Sequence, residues 1–524
     1  MSKNNNNEPR VLLLYPPEQR WPGFMVKPNG SLAYPMLAAA LKEIDCYVEV
    51  YDACVGNDDD DINEFYKSTE LPTGLIRTGV SDERIVEVIE DFDIIGITSI
   101  FSAQETMVLH CAKLIKENYP DKLLIGGGGH ARWNAEKFME NGFDMIATSE
   151  GEETIQEIIK AYRTGTYDWS NVPQIKYKKD NVIINNSQQG KVIMNLDKLP
   201  FPDWKILPLE RYWQIKRGHG VAWGENEDVR YAAMMTSLGC PFKCTYCHIG
   251  KELKGSLTQE IGRFRIKSDE RVMEELKYLK NELGVKQVFI EDDSIFGRKK
   301  RAIRLLEQMI EFGFRLMDIN GINIIHLVKR SEGKFKYEPD LEVIELMARA
   351  GFSDFSFPFE SGNQRIIKRW CSGKWDLENT NIPGLIKAFK DNNIKMHANY
   401  MIGFPDETLD EVNTTIEFAR KNAELGVDTS GFFIVMPLPG TELFDYCMEK
   451  GHLPKDFDID RMSWRKANMK NILVSPEKLE EIRDKAWEEI NSPSWKKNRR
   501  DLIVADPKAL PAPKELSDEL NVIT

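Results

Sequence analysis

The chain of 524 residues carries 70 Lys and Arg against 83 Asp and Glu, a net charge of −13, and 42 % of its residues are hydrophobic. That length exceeds what one ordinary core serves, so two or three domains are expected, while only eight cysteines argue against a disulfide scaffold. The acidic balance disfavours a nucleic-acid backbone as partner, no apolar run reaches membrane-spanning length, and the opening Met1-Ser2-Lys3-Asn4 lacks the apolar core of a signal peptide.

From Val11 the chain reads Val11-Leu12-Leu13-Leu14-Tyr15 and stops at Pro16-Pro17, as a strand buried on both faces does. Helical spacing over Leu32 to Leu41 follows, then a strand at Tyr47 to Tyr51 and an acidic loop at Asn57 to Asp61. An amphipathic helix around Ile85 to Ile89, a strand Ile94 to Thr98, a helix Met107 to Ile115, a strand Leu123 to Ile125 and a short strand Met145 to Ala147 complete the pattern. Alternating strand and helix predicts an α/β fold, an open, doubly wound parallel sheet over residues 9–164. Ligands of such sheets sit outside the carboxyl ends of the strands. Pro16, Ser99, Ser102, Gly126, Gly127, Gly128 and His130 share that edge and are the candidate ligand contacts.

Residues 165–229 change composition, with a hairpin-like Gln174 to Tyr177 and Asn181 to Ile184 before Leu199-Pro200-Phe201-Pro202-Asp203-Trp204, and are expected to be an ordered linker. Phe201 and Trp204 are expected to staple domains together rather than to recognise a substrate.

After the apolar run Tyr231 to Met235 comes Ser237-Leu238-Gly239-Cys240-Pro241-Phe242-Lys243-Cys244-Thr245-Tyr246-Cys247-His248. Three thiols this close supply three of the four ligands an iron–sulfur cluster takes from protein and leave one iron open. Gly239 and Pro241 suit a tightly curved loop. A closed zinc site would want a second ligand pair, and none follows at the right spacing. The other cysteines, Cys46, Cys54, Cys111, Cys371 and Cys447, read as small buried apolar residues.

Strand–helix units then repeat over residues 230–451. Strands are expected at Val285 to Ile290, Ile319 to Ile325, Phe352 to Phe359, Ile394 to Ile402 and Gly431 to Val435. Helices are expected at Val272 to Leu279, Ala302 to Phe312, Leu341 to Ala350, Ile382 to Asn392 and Leu409 to Leu425. Such units build a barrel or partial barrel with its site at the carboxyl ends of the strands. Glu291-Asp292-Asp293, Glu360-Ser361-Gly362 and Tyr400 to Thr408 fall there. Residues 452–524, with a helix from Pro476 to Asn491, are expected to form a mostly helical cap and a loose tail.

The C-x3-C-aromatic-x-C loop resembles that of the radical S-adenosylmethionine (SAM) superfamily at Cys240, Cys244, Tyr246 and Cys247. The domain order, with Gly126 to His130 and Glu150-Gly151-Glu152-Glu153-Thr154, resembles the members carrying an N-terminal cobalamin-binding domain, the cobalamin-dependent radical SAM methyltransferases. The resemblance implies a Rossmann-like cobalamin domain ahead of a partial (β/α)6 barrel of TIM type. It makes Cys240, Cys244 and Cys247 the ligands of a 4Fe-4S cluster. It places Tyr246 near adenine, one of Glu291, Asp292 and Asp293 at the amino group of SAM, Glu360 and Ser361 at its ribose and methionine, and Ile402 and Gly403 at adenine. Pro437-Leu438-Pro439-Gly440-Thr441 matches the family's sixth-strand exit.

By the same resemblance the reduced cluster cleaves SAM to a 5′-deoxyadenosyl radical, which takes hydrogen from the substrate, and methylcobalamin delivers a methyl group. One departure stands out: the D-x-H-x-x-G setting of cobalt-ligating histidines is absent, so the lower face of cobalt is not expected to be held by a family-type histidine. The implied substrate is a small molecule or peptide. The implied electron source is an external donor such as flavodoxin or ferredoxin, and the implied location is the reducing cytoplasm. The alternatives are a cobalamin-dependent radical SAM cyclase or ring-rearranging oxidoreductase without net methylation, and a cobalamin- or zinc-binding sensor without turnover.

Overall fold

The computed structural model describes residues 8–22, 31–187, 189, 192–215, 230–253 and 261–497. They fall into two compact units, one gathering residues 8–215 and the other residues 230–253 and 262–497.

In the first unit, β1 (Arg10–Tyr15), β2 (Tyr47–Asp52), β3 (Ile94–Thr98), β4 (Leu123–Gly127), β5 (Met145–Ala147), β6 (Ile175–Lys179) and β7 (Val182–Asn185) form one sheet in the order β7-β6-β5-β4-β3-β1-β2. The first five are parallel; β6 runs antiparallel to β5 and β7 antiparallel to β6. Leu12, Leu14, Ile95 and Ile97 are buried in a shared core with Val108, Ile115 and Phe138. This explains the unbroken apolar runs in sequence. Because β2 lies on one side of β1 and β3 on the other, the winding reverses between β1 and β3, the place where ligands of such sheets bind.

One feature of this unit differs from expectation. The segment expected as a linker over 165–229 supplies β6 and β7, so it extends the first sheet as far as it is described; residues 216–229 lie outside the described residues. Trp204 is buried, and Asp203 is tied to the helix α1 (Ala33–Lys42) by an ion pair with Lys42 and a backbone bond from its N–H to Pro35 O.

In the second unit, β8 (Tyr231–Met234), β9 (Gln287–Ile290), β10 (Arg315–Asp318), β11 (Phe352–Glu360), β12 (Lys395–Ile402) and β13 (Thr429–Ile434) pair in sequential order, all parallel. This is the partial six-stranded barrel that the repeated units predict. The helices α2 (Asp269–Asn281), α3 (Lys299–Met309), α4 (Leu341–Ala350), α5 (Ile382–Asp391) and α6 (Leu409–Leu425) alternate with the strands. Capping is local: Ser268 accepts from Arg271 N at the start of α2, and Thr408 and Glu411 form a reciprocal capping box on α6.

One strand is displaced from its expected place. The Ile-rich run 319–325 has strand-forming composition, but Gly321 sits at φ +87° and the chain turns there, while the strand is Arg315–Asp318. The carboxyl end of the third barrel strand is therefore Asp318. The C-terminal helix α7 (Pro476–Ile490) packs on the barrel, its Leu479 joining Ile402 and Ile434 in one apolar cluster. Among the described residues no helix is long and apolar enough to cross a membrane.

Gly128 has φ +93°, and an added Cβ would lie 2.6 Å from Ser99 O. Gly128→Ala is expected to destabilise the first unit by about 2 kcal/mol or more, measured as faster amide hydrogen exchange in β3 and β4.

Candidate functional site

The three cysteines lie on the loop that leaves the first barrel strand, at the carboxyl end of the parallel sheet. Gly239 (φ +77°) starts the loop where a side chain would press on Gly262 O and Arg263 O at 2.5 and 2.4 Å. Gly250, in the short helix after Cys247, passes so near Cys244 O that a Cβ would sit 2.4 Å from it. These two close approaches hold the loop curled. Cys244 is buried, and Cys240 and Cys247 are partly exposed. Backbone N–H groups point at the sulfurs, those of Ile249 and Gly250 at Cys247 and that of Phe242 at Cys240. Burial pushes the free thiols up, Cys240 to about 11 and Cys247 to about 12, so bound iron must supply the drive for deprotonation. Among the described residues no three His, Cys, Asp or Glu side chains gather closely enough to hold a single metal ion.

The loop is anchored from several sides. Lys243 N donates to Ser372 Oγ at 3.0 Å and Thr245 N to Trp370 O at 3.0 Å. Leu443 N donates to Thr245 O, and His248 Nε2 lies 2.8 Å from Pro439 O. The Pro437–Thr441 stretch thus braces the loop from the sixth strand.

The carboxylates at the strand ends divide into scaffold and site. Asp292 is buried and saturated: Thr236 N and Thr236 Oγ1 each donate to it at 2.6 Å, and Ser237 Oγ donates at 2.5 Å. Arg301 completes the network by donating to Thr236 Oγ1, Thr236 O and Lys267 O. Asp292 therefore ties the first strand's end to the second's instead of offering an oxygen to an amino group. Asp293 accepts from Gly239 N at 2.9 Å, and burial raises it to about 6. Glu291 is partly exposed; its carbonyl accepts from Asn320 Nδ2. Asp318, at the third strand's end, is raised to about 8 by burial and then by Asp292.

Glu360 ends β11 at φ +64°, a left-handed conformation uncommon outside glycine. Its Oε1 accepts from Tyr246 Oη at 2.8 Å and Lys374 Nζ at 2.6 Å. Ser361, expected at the SAM ribose or methionine, is fully buried. Its Oγ accepts from Asn363 N and meets Thr415 Oγ1 at 3.1 Å, so it shapes the turn.

Beside Tyr246 lie Phe404 (6.2 Å between ring centroids) and Trp370, stacked on Phe404 at 5.7 Å. Ile402 points its side chain into the cluster with Val412 and Leu479, leaving at most its backbone to the site. Gly403 N and Phe404 N both donate to Glu407 Oε2, at 2.6 and 3.1 Å, so these amides are spent internally.

In the first unit, Ser102 Oγ lies 3.0 Å from His130 Nδ1, and His130 Nε2 lies 2.7 Å from Glu105 Oε2. Glu105 also pairs with Lys137. His130 is completely buried with both nitrogens occupied. Ser102 and His130 therefore form an internal polar knot behind the edge where they were expected to meet a ligand. Pro16 is buried after β1. Gly126 is small because a Cβ would strike Ile146 Cδ1 at 2.4 Å, whereas above Gly127 the first neighbour is Ala147 Cβ at 3.9 Å. Three buried hydroxyls at the carboxyl ends of β3 and β5, Ser99 Oγ, Thr148 Oγ1 and Ser149 Oγ, have no hydrogen-bond partner among the described residues. Buried polar groups are seldom left so, and a ligand rich in amides would satisfy them.

The radical SAM superfamily profile matches residues 234–419 and the B12-binding domain profile residues 30–159. An uncharacterised methyltransferase of Pyrococcus horikoshii is 31 % identical over 388 residues, covering 73 % of this chain and 74 % of the relative. The chain belongs to the cobalamin-dependent radical SAM methyltransferases. Cytidylyl-2-hydroxyethylphosphonate methyltransferase of Streptomyces wedmorensis is 26 % identical over 488 residues, 87 % of this chain and 85 % of the relative. The fold is shared with the radical SAM methyltransferase TsrM of Kitasatospora setae, solved with tryptophan substrate and a SAM analogue. The TM-score is 0.60 at 15 % identity, covering 85 % of this chain and 77 % of that one. The family's cofactors are a 4Fe-4S cluster, SAM and cobalamin.

Glu407 was missed because it sits beyond the expected strand end. Burial raises it to about 8, above its ordinary 4.5. Its stabilising neutral form is complete below pH 4.5 and is lost as pH rises through 8. Glu407→Gln, which keeps an acceptor for Gly403 N and Phe404 N, is expected to flatten this decline, seen in urea unfolding at pH 5 and pH 8.5. The difference in slope is worth a few kcal/mol at about 1.4 kcal/mol per pKa unit.

Proposed function

We propose that this chain methylates a small-molecule substrate, with Cys240, Cys244 and Cys247 holding the cluster and the first unit's strand edge holding cobalamin. The observation that carries this reading is the curled loop. Three thiols at the carboxyl end of a parallel barrel receive backbone N–H groups, and such hydrogen bonds to sulfur tune a cluster. When bound, the cluster supplies an electron to SAM, and cobalamin supplies the transferred methyl group.

The protein's own part is placement. Tyr246, Phe404 and Trp370 form an aromatic wall suited to a purine. Asp293, which accepts from Gly239 N through one oxygen, is the acid at the second strand's end that would meet the SAM amino group, since Asp292 is spent on Thr236 and Ser237. In the first unit, Ser99, Thr148 and Ser149 offer hydroxyls to corrin amides or the nucleotide tail, beside the open surface of Gly127. The locked state of His130 leaves it unable to reach cobalt. The substrate class follows the phosphonate nucleotide and the tryptophan handled by the two relatives. The electron comes from an external one-electron carrier such as flavodoxin or ferredoxin.

Anaerobic reconstitution with iron, sulfide, SAM and hydroxocobalamin is expected to yield 5′-deoxyadenosine under dithionite and a product heavier by one methylene in extracts. Replacing all three loop cysteines with Ala should abolish iron binding and both products. Zinc without iron in the parent, or cyclised product without added mass, would overturn the reading. Thr148→Val removes an unsatisfied hydroxyl at nearly constant volume. It is expected to melt no lower than the parent without cobalamin yet to bind hydroxocobalamin about tenfold more weakly, a loss of about 1.4 kcal/mol, measured by equilibrium dialysis.

A further inference from the structure

Four buried polar side chains at one corner of the first sheet have nothing to bond. Thr148 Oγ1, Ser149 Oγ, Gln174 Nε2 and Ser187 Oγ find no hydrogen-bond partner among the described residues, although Thr148 is 0 % exposed, Ser187 1 %, Gln174 6 % and Ser149 7 %. Native folds seldom leave one such group, and four at one corner mark a missing partner.

Topology brings them together. Because β6 runs antiparallel to β5 and β7 antiparallel to β6, the end of β5, the start of β6 and the end of β7 share one sheet edge. Ala147 pairs with Ile175, so the next residues, Thr148 and Gln174, stand opposite each other, and Thr148 N donates to Gln174 O at 2.8 Å. Gln174 N donates to Asn186 O at 3.0 Å while Asn186 N donates to Ile175 O at 2.8 Å, so two residues face Asn186 in a β-bulge, a device that re-aims side chains. Gln174 takes φ +58° there, a left-handed conformation uncommon outside glycine. Asn186 holds the corner still, its Nδ2 donating to Trp169 O at 3.1 Å and Val172 O at 3.0 Å. The backbone is fixed, and the side chains of Gln174 and Ser187 are left unspent.

We propose that Gln174 and Ser187, with Thr148 and Ser149, receive the nucleotide tail of cobalamin through its ribose oxygens and make the first unit selective for the complete corrinoid. The proposal rests on the reading of this unit as the holder of cobalamin. Neighbouring strands lie about 4.8 Å apart, so in the observed strand order β5 stands about 12 Å and β6 about 17 Å from the point between β1 and β3 where the winding reverses. A corrin ring at that point reaches the corner only with its longest arm, the tail. The way across β4 passes Gly127, where the first neighbour of an added Cβ is 3.9 Å away. An amide Nε2 can only donate, whereas the three hydroxyls donate or accept, and a ribose offers oxygens for both roles. Glu150, next to Ser149, accepts from Ile193 N at 3.0 Å, and an acid there suits a neutral sugar better than a phosphodiester. Gln174 and Ser187 lie outside residues 30–159, which the B12-binding profile matches, so the β6–β7 hairpin adds them to the domain.

The test is equilibrium dialysis of the full chain against hydroxocobalamin and against diaquocobinamide, which has the corrin ring without the tail. The parent is expected to bind hydroxocobalamin more tightly than the cobinamide. Gln174→Met is expected to weaken hydroxocobalamin about tenfold and Ser187→Ala about fivefold, and both should bind the cobinamide as the parent does. Since neither group bonds anything without the cofactor, both variants should melt no lower than the parent.

Equal losses for the two corrinoids, unchanged hydroxocobalamin binding in both variants, or lower melting of both without corrinoid would overturn the proposal. So would a parent that binds cobinamide as tightly as hydroxocobalamin, which would leave the unit a corrinoid holder whose tail makes no contact. A parent that binds neither corrinoid would instead remove the reading of the first unit itself.

Discussion

The second unit's chemistry depends on how tightly one loop is allowed to curl. At Gly239 and Gly250 the backbone runs where no side chain fits, because carbonyl oxygens of Gly262, Arg263 and Cys244 occupy the space a Cβ would need. That closeness curls the segment that carries the three cysteines and leaves the amides of Phe242, Ile249 and Gly250 facing sulfur. A looser loop would lose those N–H donors, and with them the means of stabilising thiolates in a setting that otherwise disfavours their charge. The partial barrel supplies the rigid rim, and the segments at Trp370–Lys374 and Pro437–Thr441 clamp the loop onto it.

Around this loop the acidic side chains split according to whether the fold has already filled their oxygens. Asp292 is consumed by Thr236 and Ser237, while Glu407 takes two backbone amides on Oε2 alone, and each fastens a strand end. Glu360 is in a left-handed conformation, paired with the buried Lys374 and touched by Tyr246, so it ties the end of β11 to the cysteine loop. Type and position in sequence are alike for Asp292 and Asp293. Their tasks differ because one side chain turns toward the neighbouring strand and the other toward the loop.

The first unit follows the same logic with opposite means. Its polar groups that are satisfied, such as His130 between Ser102 and Glu105, stiffen the loop after β4 from behind. Those left unsatisfied, Ser99, Thr148 and Ser149, lie at the carboxyl ends of β3 and β5.

From its residues alone the chain declares two α/β units in a set order, most strand positions within a residue or two, and the three-cysteine loop. These follow from local rules: apolar runs mark strands buried on both faces, helical spacing marks the covering layer, and ligand spacing on one loop needs no distant partner. Other features were settled only by tertiary structure. Residues 175–185 joined the first sheet because an edge strand was open to them, and the third barrel strand ended at Asp318 because Gly321 turns the chain inside an Ile-rich run. Lys374 and Trp370 reached the cysteine loop from more than a hundred residues away. Which of several neighbouring carboxylates, hydroxyls and histidines remains free for a ligand is decided by contacts between segments far apart in the chain, and local sequence pattern carries no record of those.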